Sequence, residues 1–577
     1  MTDLGRRLAV ARGDQPADLA IRGGHVLSVH TREWLEADVA VCDGWIAGVG
    51  RYRGAEEIDA GGRFVVPGLI DAHMHLESSL LLPDEFARLV LPFGTTTVVA
   101  DPHELANVLG TDGVRWLAEA SAGLPLDVFL TAPACVPASP FESPLRSLGP
   151  DEIAQMLRHP RVIGLAEMMN FPGVVSGDDS ELAKLALPGA ERVDGHAPGV
   201  LGPLLQAYAA AGIRSDHEAT TPEEGRERLR AGMWLLIREA SGARNLDALL
   251  PLVGELGPGR IAFCTDDRDP GHIASDGHIN AMVRRAVERG IDPRDALTIA
   301  SHNAAAWHGL HDRGSVAPAR RADLLVLPDL ERFVPDVVLK DGAAAGDSPP
   351  IDVPDWARDT VRIQPVTAAD LRVTSDGGSI RVIGAVPGQI VTESLVERPT
   401  VRDGAAEADP ERDLAKIAVI ERHAASGRLA VGFVRGFGLR RGALASTIAH
   451  DAHNIVCVGV SDDDMARAAR RLAELGGGRV AVAGGEVLAE LPLPVAGLLS
   501  DRPLGEVLER SRELEAAAAS LGATLEAPFH AMSFLSLSVI PALKISDRGL
   551  VDVERFKLVP LATDARSTPT PERRSSP

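Results

Sequence analysis

The chain has 577 residues, a hydrophobic content of 45% and a formal net charge of −22 at pH 7. It is too long for one hydrophobic core, so we expect several domains. Only five of its 59 basic residues are lysines, and the acidic balance argues against a nucleic-acid partner. The N-terminal residues lack signal-peptide features, and no run approaches the ~20 apolar residues of a membrane span. We therefore expect a cytoplasmic protein without a membrane partner.

Short strand-like runs separated by Gly and Asp-Gly turns occupy residues 17–60, a pattern typical of small antiparallel sheets. Similar runs return at residues 322–342. We predict that the two pieces form one small β-sandwich-like domain, residues 1–60 plus 312–346, which flanks the segment between them.

The intervening segment, residues 61–311, alternates strand-like and helix-like runs. Eight strands over about 250 residues match a (β/α)8 barrel of the α/β class. An open doubly wound sheet is the alternative, but its ligands would gather at one switch point, whereas the reactive side chains here are spread over many strand ends. The predicted strands end at Asp71, Ala100, Ala132, Glu167, His196, Ser215, Arg238 and Thr265.

A Pro- and Asp-rich link precedes a third region, residues 357–562, which we predict to be an additional C-terminal α/β or α+β domain. Within it His450, Asp451 and His453 lie close together, but two histidines without further partners are weak evidence for a metal site. A role at a domain contact or at the mouth of an active site is the preferred interpretation. Residues 563–577 are polar and rich in Pro and Ser, so we expect a disordered tail.

The stretch VVPGLIDAHMHLESS at residues 65–79 places His73 and His75 two residues apart after an apolar run. Residues i and i+2 of a strand share a face, so both imidazoles would leave the strand side by side, as metal ligands do. Two surface histidines beside a turn are the alternative for an isolated pair. A metal site would need further ligands from other strands.

Further potential ligands follow four other predicted strands, and each alone has an alternative as a turn or solvated residue. Their coincidence at the carboxyl ends of strands in one barrel favours a common site, because those ends converge. Mixed imidazole and carboxylate ligation suits Mn, Fe or Zn and does not distinguish them. The residues fit two divalent ions, one held by His73, His75 and Asp266 and the other by His196 and His217, with Glu167 as the bridge.

A second group of polar residues follows the same strand ends. Asp101, His103 and Glu104 would contact the substrate or support a ligand, or they would cap the helix that follows. Glu77 would orient a ligand histidine or bind the substrate, and the alternative is an N-cap at this position, for which Ser79 is suited. Asp267 is a further candidate for contact with the substrate or with a ligand.

Several motifs resemble those of the amidohydrolase superfamily and, within it, the bacterial adenine deaminases. They are VPGLIDAHMHLESS, GTTTVVADPHELANVLG, GLAEMMNFPGV, DGHAPG, SDHEAT and FCTDDRDP, and the resemblance continues through ASGRLAVGFVRGFGLRRGALASTIAHDAHNIVCVG and LPLPVAGLLS. Many binuclear members of the superfamily bridge their metals with a carboxylated lysine on the fourth strand. The only lysine of the barrel is Lys184, in a helix-like segment, so the resemblance implies Glu167 as the bridge.

The resemblance implies hydrolytic deamination of adenine to hypoxanthine and ammonia, in purine salvage. Asp266 would exchange protons with the attacking water and the leaving group, and Glu218 would protonate a ring nitrogen if a turn after His217 brings it inward. The expected cofactor is a binuclear divalent metal, with Mn²⁺ preferred and Fe²⁺ or Zn²⁺ as alternatives. A homo-oligomer is expected, although no sequence pattern indicates it.

Two other functions stay open. A related amidohydrolase that acts on a modified purine or a cyclic amide would carry the same metal ligands and differ only in its pocket. A noncatalytic scaffold could lose ligands, and this chain keeps the full set, which argues against that role.

Overall fold

The structure is a computed structural model that describes residues 4–563, and its packing divides the chain into two compact units. The first unit comprises Met1–Val136, Arg146–Ala357 and Leu499–Leu508, and the second comprises Pro137–Leu145, Arg358–Leu498 and Glu509–Pro577. The predicted three-domain division is finer than this grouping, and its boundaries stay a prediction. From residue 564 onward the predicted tail lies outside the described residues.

An eight-stranded sheet in the first unit joins strands from both sides of the predicted barrel segment. Phe64–Pro67 pairs antiparallel with Leu324–Leu327 and parallel with Ala17–Ser28, so one sheet contains both pieces. Its core is built from apolar residues on alternating positions, such as Val39 and Val41. The strands of this sheet are Ala17–Ser28, Glu33–Cys42, Trp45–Gly50, Gly54–Asp59, Phe64–Pro67, Leu324–Leu327, Val337–Lys340 and Ala343–Ala344.

Eight further strands, numbered β1 to β8, form two parallel sheets, in the order β5-β4-β3-β2-β1 and β6-β7-β8. Strand β2, TTTVVA, is buried at every position and rich in β-branched residues, which is typical of a parallel strand covered on both faces. The strands are β1 Leu69–Met74, β2 Thr95–Ala100, β3 Asp127–Ala132, β4 Val162–Met168, β5 Val193–Gly195, β6 Ser215–Asp216, β7 Trp234–Arg238 and β8 Ile261–Cys264.

Backbone contacts link the two parallel sheets at both ends. A bridge joins Met74 in β1 to Asp266 after β8, and the Arg214 amide donates to the Val193 carbonyl at the start of β5 (3.1 Å). The predicted strand ends lie within three residues of the observed ones. The α/β class and the parallel strands are therefore as predicted, and closure into a full (β/α)8 barrel stays a prediction.

Helices separate most of the parallel strands and begin at caps that the sequence supplies. The Thr221 hydroxyl accepts from the Glu224 amide (3.3 Å), and the Glu224 carboxylate accepts from the Thr221 amide (3.2 Å). No helix within residues 4–563 has both the length and the apolar character needed to cross a bilayer. The helices of the first unit are Leu4–Ala11, Pro83–Val90, His103–Ala120, Pro150–Met156, Phe171–Ser176, Asp179–Leu185, Gly202–Ala210, Pro222–Arg230, Leu246–Leu256, Pro270–Asp276, Ile279–Glu288, Pro293–Thr298 and Ala304–His308.

The second unit is built on an eight-stranded sheet in which one pair, Ile380–Ala385 with Leu429–Arg435, is parallel and the others are antiparallel. Helix Asp462–Leu475 packs on this sheet through apolar residues that include Met465 and Leu472. This arrangement corresponds to the α+β alternative. In order across the sheet, the strands are Thr392–Glu397, Ile380–Ala385, Leu429–Arg435, Leu414–Ile420, Ile455–Gly459, Ala443–Ser446, Gly478–Ala483 and Glu486–Pro492.

Smaller elements complete the second unit. The second unit also has two three-stranded sheets. The long helix Leu504–Ser520 begins within the first unit's segment and continues into the second. These elements are the strands Val373–Thr374, Thr400–Arg402, Ala405–Glu407, Leu543–Ser546, Gly549–Asp552 and Lys557–Val559 and the helices Leu504–Ser520 and Pro528–Ser533.

The second unit also includes Pro137–Leu145, a segment that follows β3 in the chain. Its buried Glu142 carboxylate accepts from the amides of Asp451 (3.3 Å) and Ala452 (3.2 Å) and from the Ser538 hydroxyl. Burial, with the nearby Asp451 carboxylate, raises the pKa of Glu142 to about 7. The segment is thus held within this unit by buried hydrogen bonds to its glutamate.

His450, Asp451 and His453 of the AHDAHN motif lie in the second unit, where the Asp451 amide contacts Glu142. His450 stacks on Phe534 with ring centroids 4.3 Å apart, and the His453 ring lies 5.5 Å from that of His450. All three motif residues are buried. Their proposed role at a domain contact or an active-site mouth stays a prediction.

The first turn of helix Asp462–Leu475 offers a test of the local stability of this unit. The Ser461 hydroxyl accepts from the Asp464 amide (3.3 Å) and three aspartates follow in the first turn. Ser461→Ala is expected to cost about 1 kcal/mol and to raise the exchange rate of these amides about fivefold, measured by hydrogen exchange. Ser520→Ala, at a helix end with an exposed hydroxyl, is the control, and equal exchange in both variants would contradict the cap assignment.

Candidate active site

His73 and His75 lie at the end of β1 with both rings buried and their centroids 5.0 Å apart. The Nδ1 atom of each ring has its own hydrogen-bond partner. His75 Nδ1 donates to the Asp101 carbonyl (3.0 Å), and His73 Nδ1 lies 3.4 Å from Asp194 Oδ2. Such contacts fix the tautomer of a metal-binding histidine and leave its Nε2 lone pair for the metal. His73 Nε2 accordingly has no hydrogen-bond partner within residues 4–563.

Asp266 lies two residues after the end of β8 and faces this histidine pair. Its Oδ1 lies 3.1 Å from His75 Nε2 and 3.9 Å from His73 Nε2. The backbone holds it there, because the Asp266 amide donates to the His73 carbonyl (3.0 Å) and its φ of 55° lies in the left-handed region. An aspartate tolerates this conformation better than most residues do. The structure thus brings together the three residues predicted to hold one ion.

His196, His217 and Glu218 form a second group of donors after β5 and β6. Glu218 Oε1 lies 3.4 Å from His217 Nε2 and 3.6 Å from His196 Nδ1. Strand β6 ends at Asp216, and the chain bends at His217, the residue before Glu218. The turn that an inward-facing Glu218 requires is therefore present.

Glu167, in β4, lies between the two groups. Its Oε1 is 3.3 Å from His75 Nε2, and its Oε2 is 2.6 Å from His196 Nδ1 and 3.4 Å from His217 Nε2. Glu167 is 3% exposed, so solvent screens these contacts little. A carboxylate with one oxygen toward each histidine pair has the placement that a bridging ligand requires.

The donor atoms are close enough to share metal ions. Groups that include His73, His75 and Asp266, and His196, His217 and Glu218, each offer ligand atoms within 4.8 Å of one another. All these side chains are buried, and imidazole with carboxylate is the ligand set of Mn, Fe and Zn sites. The residues present therefore fit a pair of divalent ions.

Arg238, the last residue of β7, joins the carboxylates of the site. Its Nη1 donates to Asp266 Oδ2 (2.7 Å), and Nη1 and Nη2 donate to the two oxygens of Glu218, the second over 3.0 Å. Arg238 stands at a predicted strand end, but no sequence pattern assigns it a role. An arginine at a strand end is usually solvated, so its residue type gives no signal of a role. Its position at a strand end, like that of the proposed ligands, is the one signal that could have indicated a place in the site.

Cations around the carboxylates outweigh the effect of burial on them. Burial alone would raise the pKa of Glu167, but His196 and the other histidines hold that pKa well below its usual range. For Glu218 and Asp266, burial is again opposed mainly by Arg238, which holds the pKa of both carboxyls well below the usual range. All three groups are therefore carboxylates at neutral pH, ready to ligate or accept protons.

The DPHE residues lie at the start of a helix and beside the site. The N-cap position is Pro102, which makes no side-chain capping bond, and Asp101 Oδ1, one residue earlier, accepts from the His103 amide (3.0 Å). His103 Nδ1 lies 3.2 Å from Asp101 Oδ2 and 3.6 Å from Glu167 Oε1. Glu104, in the first turn of the same helix, is buried. A role at the start of the helix and a role beside the substrate or the proposed ligands are therefore both compatible with this geometry.

Glu77, two residues after His75, and Asp267, the residue after Asp266, are both buried near His75. Glu77 Oε1 accepts from the Leu105 amide (3.0 Å), and Asp267 Oδ1 accepts from the Ser78 hydroxyl. The N-cap alternative at Ser79 is wrong, because its hydroxyl donates to the Leu76 carbonyl (2.6 Å) and the next helix begins only at Pro83. The short 3₁₀ turn Leu76–Ser79 separates the two elements.

Asp71, inside β1, was not singled out from the sequence, although it ties β1 to β8. Its carboxylate accepts from the Thr265 amide (3.1 Å), the Thr265 hydroxyl and the His73 amide (3.3 Å). Burial raises the pKa of Asp71 to about 7. These bonds hold His73 and the residue before Asp266 in register.

Known proteins similar to this chain share nearly its full length. The family described as "Amidohydrolase family" matches residues 64–346, and "Adenine deaminase C-terminal domain" matches residues 389–557. An adenine deaminase of Desulfatibacillum aliphaticivorans is 47% identical over 563 residues, which is 96% of this chain and 99% of that protein. The chain belongs to the adenine deaminase family.

Two further members of the adenine deaminase family show the same extent of similarity. The adenine deaminase of Brucella suis biovar 1 is 47% identical over 95% of this chain and 95% of its own length. That of Cereibacter sphaeroides is 48% identical over 95% of this chain and 98% of its own. The resemblance drawn from the sequence motifs is therefore confirmed.

Membership of the family implies a divalent metal. The structure also shows where Lys184, the lysine of the predicted barrel segment, lies. Lys184 lies in helix Asp179–Leu185, where its Nζ donates to the Ala134 carbonyl (2.9 Å) and to Glu181 (3.0 Å). Its ammonium group is therefore held by Ala134 and Glu181, neither of which is a proposed metal ligand. Glu167 holds the position between the histidine pairs.

Proposed function

We propose that this protein is an adenine deaminase, which hydrolyses adenine to hypoxanthine and ammonia. The similarity of 47% over 96% of the chain to an adenine deaminase is the observation that carries this conclusion. The cluster of buried histidines and carboxylates at the ends of the parallel strands supplies the chemistry that the reaction needs. The reaction replaces an amine on an aromatic carbon, so it needs a strong nucleophile and protonation of the ring and the leaving group.

The residues that would hold the metals are those placed around the strand ends. A pair of divalent ions there supplies a nucleophile at neutral pH, since coordination lowers the pKa of water from ~15.7 to ~7. We propose Mn²⁺, with Fe²⁺ and Zn²⁺ as alternatives. The proposed ligands are His73, His75 and Asp266 for one ion and His196 and His217 for the other, with Glu167 as the bridge.

Asp266 is proposed to take the proton of the attacking water and return it to the departing ammonia. Its low pKa keeps it unprotonated, and it lies within 3.1 Å of a ligand histidine, so a proton acceptor stands beside the nucleophile. Asp266 thus combines ligation with proton transfer.

Glu218 is proposed to protonate a ring nitrogen of adenine. Arg238 keeps it ionised, so Glu218 must first receive a proton. The water supplies two protons in this proposal: one would reach the ring nitrogen through Glu218, and the other would pass through Asp266 to the departing ammonia. Glu77, Asp101, His103, Glu104 and Asp267 are proposed to bind the purine or to support the ligands.

The physiological setting follows from the free base as substrate. We propose a role in purine salvage in the cytoplasm, and a homo-oligomeric enzyme whose size light scattering of the purified protein would give.

The proposed substrate is tested with protein reconstituted separately with Mn²⁺, Fe²⁺ and Zn²⁺. Ammonia release is measured from adenine, N6-substituted purines and cyclic amides. Adenine is expected to give a kcat/KM at least tenfold above every other compound, with Mn²⁺ the most active metal. A higher value for another compound would assign the enzyme to a related amidohydrolase activity, and inactivity with all three metals would favour a scaffold.

A further inference from the structure

Arg238 links the two carboxylates to which proton transfers are assigned. Its side chain is 2% exposed, and its guanidinium makes one contact with Asp266 Oδ2 and a two-pronged contact with both oxygens of Glu218. A planar arginine fork fixes the orientation of a carboxylate more tightly than a single donor does.

We propose that Arg238 is a positioning residue that restricts Asp266 to ligation through one oxygen and holds Glu218 at the same point of the site. The expected effect of Arg238 on kcat rests on the proposed adenine deamination, whereas the expected effect of Arg238 on the metal ligands does not. No feature of the sequence motifs assigns a role to this residue.

The two oxygens of Asp266 face different partners. Oδ1 faces the Nε2 atoms of His75 and His73, while Oδ2 receives the guanidinium Nη1 at 2.7 Å. Without that donor the carboxylate could rotate and place both oxygens toward an ion. The contact therefore occupies Oδ2 and leaves Oδ1 as the oxygen that faces the two histidines.

Glu218 is oriented by the same guanidinium. Arg238 holds both of its oxygens while Oε1 stays 3.4 Å from His217 Nε2. The two proton-transferring groups thereby share one rigid anchor and keep a constant spacing. Misplacement of a reacting group by about 1 Å can cost about 10²-fold in rate, so this anchoring is expected to affect kcat.

A simpler role for Arg238 is charge compensation, because three carboxylates are buried close together and an unpaired buried charge is costly. A lysine would supply the same charge without the planar fork. Arg238→Lys therefore separates the two roles. Arg238→Met removes both the charge and the fork at similar length.

Arg313→Lys is the matched control. Arg313 is also buried, and it donates to Asp127 at the start of β3 and to Thr97 Oγ1 (3.1 Å). Both arginines are thus ion-paired in the same unit, but Arg313 contacts none of the proposed ligands. Its variant is expected to lose stability with kcat unchanged.

The test uses full-length holoenzymes of the wild type and the three variants, reconstituted with Co²⁺ for visible absorption and with Mn²⁺ for kinetics. Arg238→Lys is expected to bind two equivalents of metal, to show an altered Co²⁺ spectrum and to lose kcat for adenine by about 100-fold, with KM changed less than about threefold. Arg238→Met is expected to lose at least as much kcat. Arg313→Lys is expected to keep the wild-type spectrum.

Three results would overturn the proposal. An unchanged Co²⁺ spectrum with kcat of Arg238→Lys within threefold of wild type would show that charge alone suffices. A loss of activity that only follows a loss of metal would make Arg238 a charge compensator, and failure of both Arg238 variants to fold would make it a structural residue. If the wild type releases no ammonia from adenine, the proposed function fails, and the Co²⁺ spectra still decide the positioning role.

Discussion

Asp266→Asn is expected to lower kcat for adenine by about 10³-fold while part of the metal stays bound. The amide retains an oxygen that can face His75 as Oδ1 does at 3.1 Å, but it cannot take a proton from water. Its NH₂ group, if turned toward Arg238, would also place two donors against each other where Oδ2 now accepts at 2.7 Å. Steady-state ammonia release and elemental analysis on the same samples measure both effects.

The control for this variant is Asp295→Asn. Asp295 is a buried aspartate paired with Arg32 (2.6 Å) in helix Pro293–Thr298, and it contacts none of the proposed ligands. Its variant is expected to keep the wild-type kcat. Wild-type turnover by Asp266→Asn would end the assignment of proton transfer to Asp266.

Glu167→Ala is expected to reduce bound metal from two equivalents to one or fewer and to abolish measurable turnover. The side chain lies within 3.4 Å of His75, His196 and His217, so its removal takes one oxygen from each of the two proposed ion positions. Loss of a shared anionic ligand also leaves two cations close together without compensation. Elemental analysis after gel filtration measures the stoichiometry.

Glu181→Ala is the matched control, because Glu181 is a buried glutamate whose partner is Lys184 (3.0 Å) rather than a site histidine. It is expected to keep two equivalents and its activity. Glu167→Gln, which retains one acceptor oxygen, is expected to bind more metal than Glu167→Ala. Two full equivalents in Glu167→Ala would argue against a bridging role.

The clustering of the proposed ligands could be predicted because it depends on strand ends. Where an apolar run stops at a histidine or a carboxylate, the run predicts a buried strand and its end. The polar residue is then expected at the carboxyl end of that strand. The observed ends of β1, β4, β5, β6 and β8 accordingly lie within two residues of the predicted ligands. His73 and His75 share a side of the chain as the period of two requires.

The contacts that orient those ligands could not be predicted. Arg238, Asp71 and Asp194 act across strands that are distant in the chain, and pairing between side chains of different strands leaves no spacing signal in one sequence. The same holds for Pro137–Leu145, whose place in the second unit depends on hydrogen bonds from residues about 300 positions later. Local patterns therefore locate the donors, and tertiary contacts determine their orientation.

Titration of metal-free enzyme with Mn²⁺ tests the central claim most directly, because it links the site to the reaction. Ammonia release from adenine is measured against equivalents of Mn²⁺ added per chain. The proposed binuclear centre predicts that activity rises until two equivalents are bound and then stays constant. Full activity at one equivalent, or no ammonia release at any equivalence, would contradict it.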